Sequence, residues 1–231
     1  MRTSLSKRVV SCTACPRLVQ FRELIAKKKR RAYADETYWG KPVPGFGDPK
    51  APIVILGLAP GAHGANRTGR VFTGDRSGEF LYRALHRAGL ANQPTSRART
   101  DALRLCGVYI TLSVRCVPPD NKPRPDEIAR CGTWLDEELA LLAPRVVLAL
   151  GAIAWNAYLD HAIRIGITIP KPRPAFGHGA LATIAGLPTL LGSYHVSQQN
   201  TQTGRLTESM FDAVLRQSLS LAKRRSRTSP M

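Results

Sequence analysis

Four times along this chain a short apolar run gives way to a loop and then to a helical stretch. The runs are Ala51–Leu56 (APIVIL), Val108–Val114 (VYITLSV), Arg145–Leu150 (RVVLAL) and the pair Thr183–Ile184 and Thr189–Leu190, which flank a Gly-Leu-Pro turn. Short, β-branched runs bounded by turn formers read as strands buried on both faces. The helical stretches repeat apolar residues at three- and four-residue spacing. Ser77–Ala88 carries Phe80, Leu81, Ala84 and Leu85 on one face and stops at Gly89; Glu127–Leu142 follows a candidate cap at Asp126; Ala152–Leu159 and Leu206–Leu221 complete the set. This alternation predicts an α/β fold of three layers, α/β/α, with helices on both faces of a central parallel sheet.

In such sheets ligands sit beyond the carboxyl ends of the strands. Three polar loops leave strands in that sense. The longest is Gly57–Asp75 (GLAPGAHGANRTGRVFTGD), with five glycines, two arginines, a histidine and a terminal aspartate. Glycine-rich chain leaving a buried strand lets backbone N–H groups come close to a ligand. The loop is also longer than a plain connection needs. The other two are residues 115–125, with PPDNKPRP, and 193–204, SYHVSQQNTQTG. Together the three loops can form one site.

The 231 residues suit one domain, placed here at 12–221, with a loose basic lead-in at 1–11 and a basic tail at 222–231 that is expected to be disordered. Formal net charge is +18, from 34 basic and 16 acidic residues, which points to a polyanionic partner, most simply nucleic acid. A helix over Leu18–Arg31, with Leu18, Phe21, Leu24 and Ile25 at helical spacing, ends in the basic cluster Lys27–Arg31. No apolar stretch is long enough to span a membrane, and the N-terminus lacks the apolar core of a secretory signal. The expected location is therefore cytoplasmic, at the nucleoid.

Five cysteines without an export signal argue against a disulfide framework and for metal or cluster ligation. Cys12-Thr-Ala-Cys15 is a C-x-x-C, and Cys116 and Cys131 follow with fourteen residues between them. Four thiolates hold either tetrahedral zinc or an iron–sulfur cubane, and spacing alone does not separate the two. Cys106 reads as a small buried apolar residue.

With these segments in place, the chain resembles the uracil-DNA glycosylases, specifically the iron–sulfur-containing family 5, type B group of bacteria and archaea. The resemblance rests on GLAPGAHGANRTGRVFTGD, on the C-x-x-C with Cys116 and Cys131, and on HVSQQNTQTGRLT at 195–207, and extends from Cys12 to about Leu221. It implies a four-stranded parallel sheet between helices and a [4Fe–4S] cluster held by Cys12, Cys15, Cys116 and Cys131.

It also implies the roles at the site. Gly57, Ala59 and Gly61 give the base pocket its backbone, Phe72 stacks on the flipped base, and His195 stabilises the charge left on the departing base. Leu58 and Ala59 stand where related families place a polar group to orient water, so the catalytic weight falls on Asp75, which can also cap the helix beginning near Ser77. Leu112 and Ser113 stand where family 4 carries an asparagine that reads the uracil edge. Asn121 is the nearest substitute, and the loss of a strict reader predicts a pocket open to hypoxanthine and xanthine as well as uracil. Ser197, Gln198 and Asn200 belong to the loop entering the minor groove, and Arg67, Arg70 and Arg205 are candidate phosphate contacts. With no lysine in the 57–75 or 193–204 loops, a Schiff-base step is not expected, so the enzyme should be monofunctional and leave an abasic site. The partner expected is double-stranded and also single-stranded DNA, bound by a monomer.

Two other readings compete. A non-enzymatic nucleic-acid-binding protein with a structural zinc or iron–sulfur centre would explain the charge and cysteines but leave two polar loops without a role. A phosphate-binding nucleotide enzyme would need a G-x-x-x-x-G-K-[ST] or helix-opening G-x-G-x-x-G pattern, and neither is present.

Overall fold

The computed structural model describes residues 2–223. The chain runs α1 (Arg2–Val10), α2 (Pro16–Lys28), β1 (Phe46–Gly47), β2 (Ile53–Gly57), α3 (Ala65–Thr68), α4 (Arg76–Arg87), β3 (Val108–Leu112), α5 (Pro125–Leu142), β4 (Val146–Leu150), α6 (Ala152–Arg164), β5 (Leu181–Ala182), β6 (Thr189–Ser193), α7 (Gln198–Gln202) and α8 (Glu208–Lys223). The sheet order is β1-β3-β2-β4-β6-β5. The four inner strands are mutually parallel, as expected, and a two-residue antiparallel strand is added at each edge.

Alternate residues of the inner strands point to opposite faces, so each face has its own apolar layer. Ile53, Ile55, Ile110, Leu148 and Leu191 pack with Phe80, Leu81 and Leu85 of α4 and Phe211 and Leu215 of α8. Val54, Leu56, Val147, Ala149 and Leu190 pack with Leu135 and Leu139 of α5 and Trp155 and Tyr158 of α6. Each such side chain contributes roughly 1.5–3 kcal/mol on burial. Exposed ion pairs such as Arg83–Glu208 contribute about 0–1 kcal/mol each, so the two apolar layers hold the fold.

Several local expectations are revised. Residues 2–10 are a helix rather than a loose lead-in, because Leu5 and Val9 are buried and α1 packs on α5. The cap of α5 is Arg124, not Asp126: Pro125 opens the helix and Glu127 reaches back to accept from Arg124 N at 2.7 Å. Helix α6 runs on to Arg164, five residues beyond the expected Leu159. The penultimate strand lies at 181–182 rather than 183–184. Cys106 is exposed in the turn before β3, so it is not a core residue. The basic tail from residue 224 onward lies outside the described residues.

Candidate functional site

All four parallel strands end on the same side, and there a cleft of about 970 Å³ opens between the three loops. The Gly57–Asp75 loop leaves β2 anchored to the chain beyond β3. Gly57 O accepts from Ser113 N at 2.9 Å and Ser113 Oγ at 3.0 Å, and Leu58 O accepts from Val114 N at 2.9 Å. The loop then folds as the short helix α3 and returns through Phe72, whose φ of 49° is left-handed for a residue with a side chain. That turn sends the Phe72 ring over Gly57: a Cβ on Gly57 would come within 2.9 Å of both Phe72 Cζ and Leu112 Cδ2. Phe72 is thus a core residue on one side and a wall of the cleft on the other.

Asp75 caps α4, Oδ1 accepting from Gly78 N at 2.9 Å. Its other oxygen, Oδ2, faces Gly61 and Gly64, and a Cβ on Gly64 would overlap it. Desolvation raises the Asp75 pKa above the ordinary carboxylate value, against the backbone N–H groups of Gly78 and Ser77. Across the cleft, His195 follows β6 with its ring 6.2 Å from that of Phe72. Its carbonyl is held by Asn200 Nδ2 at 2.8 Å, while its ring nitrogens bond nothing among the described residues. Burial pushes the His195 pKa down to about 4, so the imidazole is neutral at neutral pH and offers one N–H donor.

Of the residues expected from the sequence, Ala59, Gly61, Phe72, Asp75, Asn121, His195, Ser197, Gln198 and Asn200 line this cleft. Ser197 caps α7, its hydroxyl accepting from Asn200 N, so its side chain is committed to the backbone. Asn121 and its neighbour Asp120 both have left-handed φ, 56° and 54°, which turns them toward the cleft. Gly57 lies beneath Phe72 rather than on the surface.

Two expected phosphate contacts are corrected. Arg67 is buried and spent on Glu36, His63 O and Gly74 O. Arg70 is buried and bonded to Thr73, Ser96 and Asp101, the last at 2.7 Å. Both arginines stitch the loop together from inside and cannot reach a phosphate. Arg205 is exposed, its guanidinium 4.9 Å from the centre of the Tyr194 ring.

The cleft also holds Arg30, from the basic cluster Lys27–Arg31 expected to contact phosphate, and three residues that the sequence reading passed over: Tyr33, His63 and Glu79. His63 stood in the same motif, but nothing in its spacing showed a partner. Its Nδ1 lies 3.0 Å from Tyr38 Oη, which accepts from Arg30 N at 3.2 Å. The Tyr38 hydroxyl thus bridges Arg30, just past the end of α2, to the His63 ring.

Away from the cleft, Cys12, Cys15, Cys116 and Cys131 line one small cavity with Leu18, Trp134 and others. Among the described residues no group of three or more His, Cys, Asp or Glu is spaced to hold a single metal ion. Burial pushes Cys131 up to about 12, and raises Cys15 and Cys116 as well. Yet two donors point at these sulfurs: Arg22 Nη1 at 3.0 Å from Cys116 Sγ and Arg115 N at 3.2 Å from Cys131 Sγ. A buried guanidinium against a neutral thiol is poorly compensated. The donor set suits sulfurs made anionic by metal.

The profile of the Uracil DNA glycosylase superfamily matches residues 44–218, which takes in the sheet and all three cleft loops. The chain belongs to that superfamily. Among curated glycosylases it is 52% identical over 222 residues to the type-5 uracil-DNA glycosylase of Thermus thermophilus, covering 96% of this chain and 98% of that one. To the type-5 uracil-DNA glycosylase of Mycobacterium tuberculosis it is 52% identical over 213 residues, 91% of this chain and 78% of the other. A type-4 uracil-DNA glycosylase from Thermotoga maritima is more distant, at 29% over 203 residues, 87% of this chain and 86% of that one. The type-5 glycosylase of Thermus thermophilus therefore matches nearly the whole chain.

Proposed function

We propose that this chain is a uracil-DNA glycosylase of base-excision repair, a hydrolase that breaks the N-glycosidic bond of uracil flipped out of DNA. The observation that carries the reading is the gathering of Phe72, Asp75 and His195 around one cleft at the carboxyl end of the sheet. The Phe72 ring offers a stacking face to an extruded base. The neutral His195 ring has an unengaged donor for the oxygen on which negative charge grows as the bond to C1′ breaks. Asp75 Oδ2, on the far side from its capping oxygen, faces the cationic sugar and positions the water whose oxygen joins C1′. Base release from uracil-containing duplex should be lost in His195→Ala and Asp75→Ala; full activity in both variants would refute the mechanism.

The pocket is read as tolerant. Leu112 presents an apolar side chain to the cleft where a strict reader would be polar, and this supports removal of hypoxanthine and xanthine alongside uracil. A gel assay on duplexes carrying each base that showed uracil alone being released would end that reading. No lysine lines the cleft among the described residues, which supports a monofunctional enzyme leaving an abasic site. Strand nicking without heat or base would contradict it. DNA is the partner, single- and double-stranded, bound by a monomer at the nucleoid; the charge of +18 supports this.

The four cysteines are read as ligands of a [4Fe–4S] cluster. Four thiols sharing one cavity, with donors aimed at the Cys116 and Cys131 sulfurs, support a metal-bound centre, and the resemblance to the iron–sulfur-containing group favours a cluster over zinc. When bound, the cluster supplies a covalent brace between α2, α5 and the chain after β3. Iron and acid-labile sulfide analysis of the purified protein tests this, with zinc as the contrary result.

A further inference from the structure

Arg22, on α2, is buried at 4% exposure, and its Nε makes no hydrogen bond. Its nearest carboxylate, Glu23, is exposed and stands 3.8 Å away, too loose to neutralise a buried charge. What Arg22 does hold is the cysteine centre: Nη1 donates to Cys116 Sγ at 3.0 Å and to Cys12 O at 3.2 Å. One side chain thus joins the two halves of the centre, which lie far apart in sequence.

The backbone of the same residue faces the other way. Arg22 O accepts from the buried Asn66 Nδ2 at 3.3 Å, and Asn66 sits on α3, inside the cleft loop. Asn66 N in turn donates to Gly61 O at 3.0 Å, and Asn66 O accepts from Gly40 N at 3.1 Å. Gly61 lines the cleft beside Asp75 Oδ2. The path from Cys116 sulfur to Gly61 is therefore short and hydrogen-bonded, and its last step, from Gly61 to the Asp75 carboxylate, is close packing.

We propose that Arg22 is a positioning residue that couples the cysteine centre to the cleft loop. The metal in the centre fixes the Arg22 side chain, and the Arg22 carbonyl, through Asn66, fixes residues 61–69. This rests on the cysteine centre holding metal, as read above. A hydrogen bond from outside the ligand set both orients a thiolate and tunes the metal it binds, and this one also carries the orientation to the substrate side.

The test uses the full-length protein as purified, with Arg22→Met and Arg22→Lys. Metal and sulfide content of the wild type, measured first, reads the cluster assignment by itself; a wild type free of any metal overturns both that assignment and the coupling. Given metal in the wild type, Arg22→Met should lose it to a chelator about tenfold faster. In the same variant, amide hydrogen exchange should accelerate in peptides covering residues 61–69, while β2 and β4 keep their protection. Arg22→Lys retains the charge but not the fork, and should fall between the two in both measurements, with an altered visible spectrum. A general loss of fold would expose the strands as well, and the lysine variant then carries the comparison. If chelation and loop exchange do not change together in either variant, the coupling is wrong.

Discussion

Gly64 and Asp75 share one volume: any side chain on residue 64 would overlap Asp75 Oδ2, and a Cβ on Gly61 would come within 2.9 Å of the same oxygen. Since Oδ1 is tied to Gly78 N, the carboxylate cannot rotate away without giving up the α4 cap. Gly64→Ala should therefore cut base release by about tenfold or more, the cost of misplacing a reacting group by about an ångström. Uracil-DNA cleavage rates at saturating enzyme measure it, and a rate equal to wild type would mean that Oδ2 does not act from this position.

Asp75 caps α4, and the catalytic duty proposed for it separates from that cap by substitution. Asp75→Asn keeps an N-cap of similar quality, whereas Asp75→Ala loses it at about 1 kcal/mol. Both should lose activity, and only the alanine variant should melt lower. Burial raises the Asp75 pKa, so its ionisation opposes folding once the pH exceeds the unfolded value near 3.8. Asparagine carries no such charge, so its stability relative to wild type should improve as pH rises through the raised pKa. Thermal melts of the three proteins across that range check the sign.

The His195 pKa is depressed from 6.5 to about 4 by burial. The folded state therefore resists protonation, and the contribution of His195 to stability is lost as pH falls from about 6.5 toward 4. With the neutral ring proposed as the active form, kcat/KM should hold down to mildly acidic pH and fall on approaching 4. His195→Gln should lower the plateau and remove the His195 limb, leaving only the one set by protonation of the Asp75 carboxylate. A pH profile with its acid limb near 6.5 instead would place His195 in a solvated setting.

Arg70 and Arg205 should fail in opposite ways. Arg70→Met leaves Asp101 partly buried without its partner and should cost about 3 kcal/mol or more of stability, with the salt dependence of DNA binding unchanged. Burial opposes Asp101 ionisation, but Arg70 and the backbone N–H groups of Arg97, Leu103 and Ala98 outweigh it and bring its pKa down to about 2. The pair's stabilisation is thus present above pH 3.8 and fades as pH drops toward 2. Arg205→Ala, at an exposed site, should leave the melting temperature in place and reduce the slope of log K against log salt by about one.

Phe72→Leu should preserve the apolar contact with Gly57 while removing the π-face. A loss of about 10–100-fold in base release, with melting little changed, matches the value of stacking one base on an aromatic ring. Retention of activity would reduce Phe72 to a loop anchor.

How far the sequence disclosed this molecule varies by element. The inner strands were legible because a strand covered on both faces must be a continuous apolar run, as in Ile53–Gly57 and Val146–Leu150. Helix α1 was hidden because Leu5 and Val9 are the only buried apolar residues among its described side chains, and its further tie, Arg8 to Glu137, joins residues far apart in sequence. At the site, the loop and His195 stood out by composition and resemblance. The fate of Arg67 and Arg70 did not, because an arginine reads as solvated unless its partner is known. Their partners, Glu36 and Asp101, lie about thirty residues away in opposite directions along the chain. His63 was obscured for the same reason, since its partner Tyr38 lies twenty-five residues away.

The two-residue strands β1 and β5 finish the sheet with almost no backbone to offer a newcomer. Beside β1, Val43 and Asp48 bond to Arg115 and Val108, and beside β5 Gly179 and Ala180 bond to Gly192, so the long strands β3 and β6 meet chain rather than water at their outer edges. An open edge would template pairing between copies and, in time, aggregation. Closed in this way, the sheet leaves the outer edges of β3 and β6 no room for a strand from a second copy.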